Sequence, residues 1–128
     1  PDLRERAAGS GKAECTADCP AEEAAAWYFD WCSRERMEIH RNEGNPARFE
    51  LQHGKERQNE KLVALIKKFP FPFKNREFVT KFIWRKAEKG VDVAWTSAAD
   101  VVDYGGSMGT LRRGTSKGIF KSRNFKDE

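Results

Sequence analysis

The most regular alternation in the chain begins at Phe78. Phe78, Thr80, Phe82 and Trp84 fall on one face of a strand, and Val79, Lys81, Ile83 and Arg85 on the other. One face carries three aromatics and a hydroxyl; the other mixes aliphatic and cationic side chains. A face so apolar has to be covered by a helix, a second sheet or an apolar ligand. The preceding run, Phe69-Pro-Phe-Pro-Phe73, is extended but cannot lie inside a sheet, because Pro70 and Pro72 lack an N–H and hold their predecessors extended. A turn at Lys74-Asn75 then makes the next strand start abruptly near Glu77.

Periodicity predicts the other elements. Ala13, Cys15 and Ala17 alternate with Lys12, Glu14 and Thr16, predicting a short strand over 11–17. Pro20, Glu22 and Glu23 predict a helix start, with Cys19 or Asp18 as cap. That helix is expected to run to about Arg36, with Ala24, Trp27, Tyr28 and Trp31 as an aromatic stripe, and to die out before Gly44-Asn-Pro46. Such a stripe packs on a sheet or closes a cavity; packing in the core is the reading preferred for Trp27, Tyr28 and Trp31. Strands follow over 48–53 and 61–68, joined by a charged turn over 54–60. After Phe78 come a tight turn at Glu88-Lys-Gly90 and a strand with Val91, Val93 and Trp95 on its apolar face. A loop over 98–108 and a last strand over 109–121 complete the order. Strand, long helix, then antiparallel meander is an α+β arrangement, one helix against a curved sheet.

Composition sharpens this modestly. The 128 residues suffice for one domain with a real core. Charged residues make up 34 %, mean hydropathy is −0.81, and no apolar run approaches membrane-spanning length. Aromatics at 12 % argue against disorder. The net charge of +4 is spread among nearly as many anions, so no nucleic-acid groove is demanded. Three cysteines without framework spacing predict reduced thiols and a cytoplasmic setting. Cys15, Cys19, Cys32, His40 and His53 fit no zinc spacing, and neither metal nor cofactor is expected. Gly105-Gly-Ser-Met-Gly109 lacks the strand–loop–helix setting of a phosphate cradle and reads as a flexible loop.

Four segments together carry a family likeness. They are Ala17-Asp-Cys-Pro-Ala-Glu-Glu-Ala24, then Lys67-Lys-Phe-Pro-Phe-Pro-Phe-Lys-Asn-Arg-Glu-Phe-Val79, then Ile83-Trp-Arg-Lys86 with Gly90-Val-Asp-Val93, and finally Leu111-Arg-Arg-Gly114 with Gly118-Ile-Phe120. In this order they resemble the START domain, the lipid-transfer family of the helix-grip superfamily. Pro70, Pro72 and Arg76 match its Pro-rich turn and motif arginine. The resemblance implies a curved antiparallel sheet gripping a helix around an apolar tunnel for one lipid, closed by a C-terminal helix. It also places the loop after Ser97 near the tunnel mouth. On this view residues 1–10 are a flexible N-terminal segment and 11–128 a partial domain, cut at its C-terminus, of a longer polypeptide.

The inward candidates are then Phe78, Thr80, Phe82 and Trp84 on one strand and Val93 and Trp95 on the next, together with Val91, each equally readable as ordinary core. Thr80 is the polar atom expected to meet a headgroup or sterol hydroxyl. Arg76 is expected to fasten a turn to a carboxylate or carbonyls, in preference to pairing with a headgroup. Lys67, Lys68 and Lys74 favour peripheral contact with an anionic membrane. The expected function is non-catalytic binding or transfer of a lipid or sterol-like ligand. The alternative is a degenerate interaction module whose cavity is filled by Phe82, Trp84, Trp95 and Phe120; a cavity below lipid size favours it.

Overall fold

The computed structural model describes residues 9–51 and 57–125. Among these residues two short helices, α1 (Ala21–Phe29) and α2 (Arg34–Asn42), precede six strands: β1 (Ala47–Leu51), β2 (Glu60–Lys67), β3 (Arg76–Ala87), β4 (Gly90–Ser97), β5 (Arg112–Arg113) and β6 (Lys117–Arg123). The fold is α+β with an open sheet in the order β1-β2-β3-β4-β6; β5 adds a two-residue parallel pairing on β3, and every other pairing is antiparallel.

Register fixes which residues share a face. Val63 lies opposite Thr80, Leu65 opposite Phe78, Phe82 opposite Trp95, Trp84 opposite Val93, and Val93 in turn opposite Phe120. These residues form the front face, covered by the helices. Ala25, Val63, Phe82, Val91 and Val93 are its buried centre, with Tyr28, Trp31, Cys32, Trp84, Trp95 and Phe120 packed around them. The reverse face buries Leu62, Ala64 and Val79 beneath Ala98, Val102 and Tyr104 of the loop after β4, with Phe49 and Leu51 at its edge.

Four expectations fail. Residues 11–17 form no strand; they are exposed and unpaired, because side chains as small as Ala13, Cys15 and Ala17 offer a sheet little to bury. The single long helix is two. Asp30 to Ser33 interrupt it, and Ser33 caps α2 by accepting a hydrogen bond from the Arg36 N–H at 3.3 Å. Arg36 Nη1 then donates to the carbonyls of Trp27 (3.0 Å) and Tyr28 (3.1 Å), which satisfies the end of α1. Third, the final strand is split into β5 and β6 by Gly114 to Ser116. The cap of α1 is Pro20, not Cys19 or Asp18.

From β1 to β4 the meander follows its prediction. The β1–β2 pairing, the entry of β3 at Arg76 after the Phe/Pro loop, and the Glu88-Lys89 turn all form where expected. The predicted 48–53 strand ends at Leu51; His53 and residues 54–56 of the predicted turn lie outside the described residues, as do residues 1–8. Helix α1 is fastened to β6 and the residue that follows it by two hydrogen bonds. The Ala21 N–H donates to Asn124 Oδ1 at 3.0 Å, and buried Ser122 Oγ donates to the Ala21 carbonyl at 2.7 Å.

Candidate functional site: an aromatic groove on the front face

Beside α1 the front face is left partly open. Tyr28 and Trp31 from the helical side face Val63, Leu65, Lys67, Phe78, Thr80, Phe82, Trp95 and Ser116 across a groove of about 250 Å³. Large rings frame the groove, some stacked and some tilted against one another. Tyr28 stacks on Phe120 with centroids 4.3 Å apart, and Trp31 meets Phe82 at 5.0 Å. Phe82 and Trp95 stand further apart, at 6.4 Å.

Each wall has a local cause. Trp95 is pinned through its indole N–H, which donates to Ser116 Oγ at 3.0 Å. Ser116 is itself tied to Ser97 in both directions, its N–H donating at 2.7 Å and its carbonyl accepting at 3.1 Å. Gly118 lies directly under the Trp95 ring and Gly114 under Phe78; a Cβ at either position would overlap the ring. Trp31 is flanked by guanidinium groups, Arg36 at 4.7 Å and Arg48 at 4.8 Å from its ring centroid, and Arg48 Nε donates to its carbonyl at 2.7 Å. Burial lowers the pKa of both arginines, and pushes the Tyr28 phenol and the Cys32 thiol up.

Of the six inward candidates, Phe78, Thr80, Phe82 and Trp95 line the groove. Trp84 and Val93 do not: they sit further along the sheet, Val93 fully buried and Trp84 packed on the core beside it, so both belong to the helix-covered core. Arg76 is exposed, with its guanidinium 5.0 Å from the centroid of Phe69. The carboxylate-fastening part expected of it is played by Arg113 instead. Arg113 Nε donates to Glu77 Oε1 at 2.9 Å, and its Nη atoms donate to the carbonyls of Ala98 (2.9 Å) and Asp100 (2.7 Å). Glu77 Oε2 also accepts from the Tyr104 hydroxyl at 2.6 Å. This clasp holds the loop after β4 against the reverse face, away from the groove mouth where the resemblance places it.

The sequence reading missed Val63, Leu65, Lys67 and Ser116 as groove residues, and the glycine seats. Val63, Leu65 and Lys67 share one face of β2 and were legible from its alternation once Leu65 is paired with Phe78; Ser116 depends on the split of the last strand. Trp27 is exposed under Arg36 and lies outside the groove.

The polar groups of the groove are few. Lys67 lies 3.9 Å from Glu43, and the Thr80 hydroxyl makes no hydrogen bond to another side chain among the described residues. No group of three or more His, Cys, Asp or Glu gathers to hold a metal among those residues. His40 is buried elsewhere, at the α2–β1 corner: Nε2–H donates to the Ala47 carbonyl at 2.9 Å and Asn45 Nδ2 approaches Nδ1 at 3.5 Å. Burial lowers its pKa, so the ring is held neutral.

No protein-family model matches the chain, and no match was found among curated proteins or solved structures.

Proposed function

We propose that the chain is a non-catalytic binding module of START-like, helix-grip type that takes an apolar ligand into the groove between sheet and α1. The observation that carries this reading is the groove itself: aromatic and aliphatic walls from three strands and the helical side, with the hydroxyls of Tyr28, Thr80 and Ser116 set among them. Burying an apolar body there is favourable at roughly 25 cal/mol per Å² removed from water. The absence of catalysis is part of the proposal and rests on the lining, where no side-chain base is bonded to the Thr80 or Ser116 hydroxyl among the described residues. Free Cys15, Cys19 and Cys32 fit a reducing, cytoplasmic-type setting.

Size narrows the ligand. Pockets for drug-sized molecules span roughly 300–1,000 Å³, and this groove, at about 250 Å³, is smaller. It therefore takes one acyl chain or one ring system, with the remainder of any larger lipid projecting out. The same volume favours a second reading, an interaction module in which the groove receives an apolar side chain of a partner protein. Native mass spectrometry of the purified protein separates the two. A retained small amphiphile, displaced by added palmitate, supports ligand binding. An unloaded protein that takes up no palmitate supports the interaction module.

A further inference from the structure

The loop between β2 and β3 carries the most exposed aromatic side chain of the described residues, Phe71, with a second exposed ring, Phe73, two residues on. Phe71 is 97 % exposed and Phe73 68 % exposed. Such exposure is not a by-product of slack backbone, because the loop is tied at both ends. At its start the Lys68 N–H donates to Asn45 Oδ1 at 2.9 Å and the Phe69 N–H to Asn75 Oδ1 at 3.2 Å. The Phe73 N–H closes the tip onto the Pro70 carbonyl at 3.0 Å, and the Arg112 N–H holds the Asn75 carbonyl at 3.0 Å. Pro70 and Pro72 stiffen the tip further. Two phenylalanines are thus presented outward by a restrained turn, at a standing solvation cost that folding does not require.

What surrounds them selects the partner. Lys67, Lys68, Lys74 and Arg76 are all exposed at the base of the loop. Glu43, at the end of α2, lies 3.9 Å from Lys67 and partly offsets it, whereas Glu77 is held by Arg113 and Tyr104, away from Lys68 and Lys74. Apolar rings at a tip above a collar of cations match a bilayer interface, where rings enter the acyl boundary and cations meet anionic headgroups. A protein groove able to take both rings would also need acidic walls; the bilayer needs no such shape.

We propose that Phe71 and Phe73 form an interfacial anchor that docks this chain on anionic lipid bilayers, with Lys67, Lys68, Lys74 and Arg76 supplying the charge preference. The two rings lie outside the groove, which shares only Lys67 with the collar; the inference is read with no ligand added, and either proposal can fail alone.

The test is co-sedimentation of the full chain with vesicles of phosphatidylcholine alone or of equimolar phosphatidylcholine and phosphatidylserine. Wild type is expected to bind the anionic vesicles, less tightly as salt is raised. The double substitution Phe71→Ser and Phe73→Ser should weaken binding about tenfold or more per ring, with an unchanged melting temperature because both rings are in solvent. Lys68→Glu with Lys74→Glu should abolish the preference for phosphatidylserine. Equal sedimentation of wild type and the serine variant would overturn the proposal. So would self-association that the serine substitutions abolish in a wild type that ignores vesicles, which would assign the rings to a protein contact.

Discussion

The two faces of this sheet are built from the same strands and end differently. On the reverse face Leu62, Ala64 and Val79 are small or aliphatic, and one loop seals them, held by the Glu77–Tyr104–Arg113 clasp. On the front face Phe78, Phe82, Trp95, Tyr28 and Trp31 are large planar rings, and two short helices cover them incompletely. Aliphatic side chains interdigitate to crystal-like density, whereas rings fixed by hydrogen bonds and glycine seats leave space between them. The difference teaches that a bulky apolar face is not by itself a core: where its rings are pinned apart, it becomes a recess.

Neighbouring residues on β2 test that contrast directly. Ile66 is fully buried on the reverse side, and Leu65 lines the groove. Ile66→Ala should cost about 2–5 kcal/mol, and Leu65→Ala should fall at the bottom of that range, about 2 kcal/mol, because Leu65 already borders open space. Urea titration of both variants checks the ordering; equal losses would mean that the front face is as well packed as the reverse. The next largest effect addresses the seal. Glu77→Ala removes the acceptor of the Tyr104 hydroxyl and of Arg113, and should cost about 2 kcal/mol, discounted from a fully buried pair because Arg113 is partly in solvent. Hydrogen exchange should then rise in the 98–104 loop while the groove residues keep their protection.

The smallest effect belongs to the corner that carries the helices. His40 is held neutral by burial, with Arg48 and Lys67 also opposing its protonation. Its folded pKa lies below the ordinary 6.5. Its contribution is therefore complete above that value and is lost as pH falls from there toward the folded pKa. The unfolded chain binds the proton first in that window, so stability drops by no more than about 1.4 kcal/mol per pH unit. Melting curves of wild type and His40→Asn across this range should converge at acid pH if the imidazole is the cause.

How much of this was legible in the sequence follows from what local pattern can encode. The front-face alternation of β3 and β4 is a period-two signal that no competing element disturbs, so Phe78, Thr80, Phe82 and Trp95 were placed together. Depth along the sheet is not periodic, and Trp84 and Val93 were indistinguishable from them until the helices took their positions. The break at Ser33 did have a local signal, a capping serine followed by charged helix formers, but the aromatic stripe ran through it and dominated the reading. Arg76 and Arg113 show the limit most clearly. Both sit beside Glu77 in the parallel pairing of β3 with β5, and only tertiary register decides which guanidinium reaches the carboxylate.

The most direct test of the central claim is to fill the groove and ask whether binding disappears. Leu65→Trp places an indole into the recess from its floor. Titration of a nitrobenzoxadiazole-labelled fatty acid into wild type should give saturable, one-to-one binding; the filled variant should bind none while melting at or near the wild-type temperature. Non-saturable uptake by wild type, or equal binding by the folded filled variant, would contradict a ligand site between Tyr28, Phe78 and Trp95.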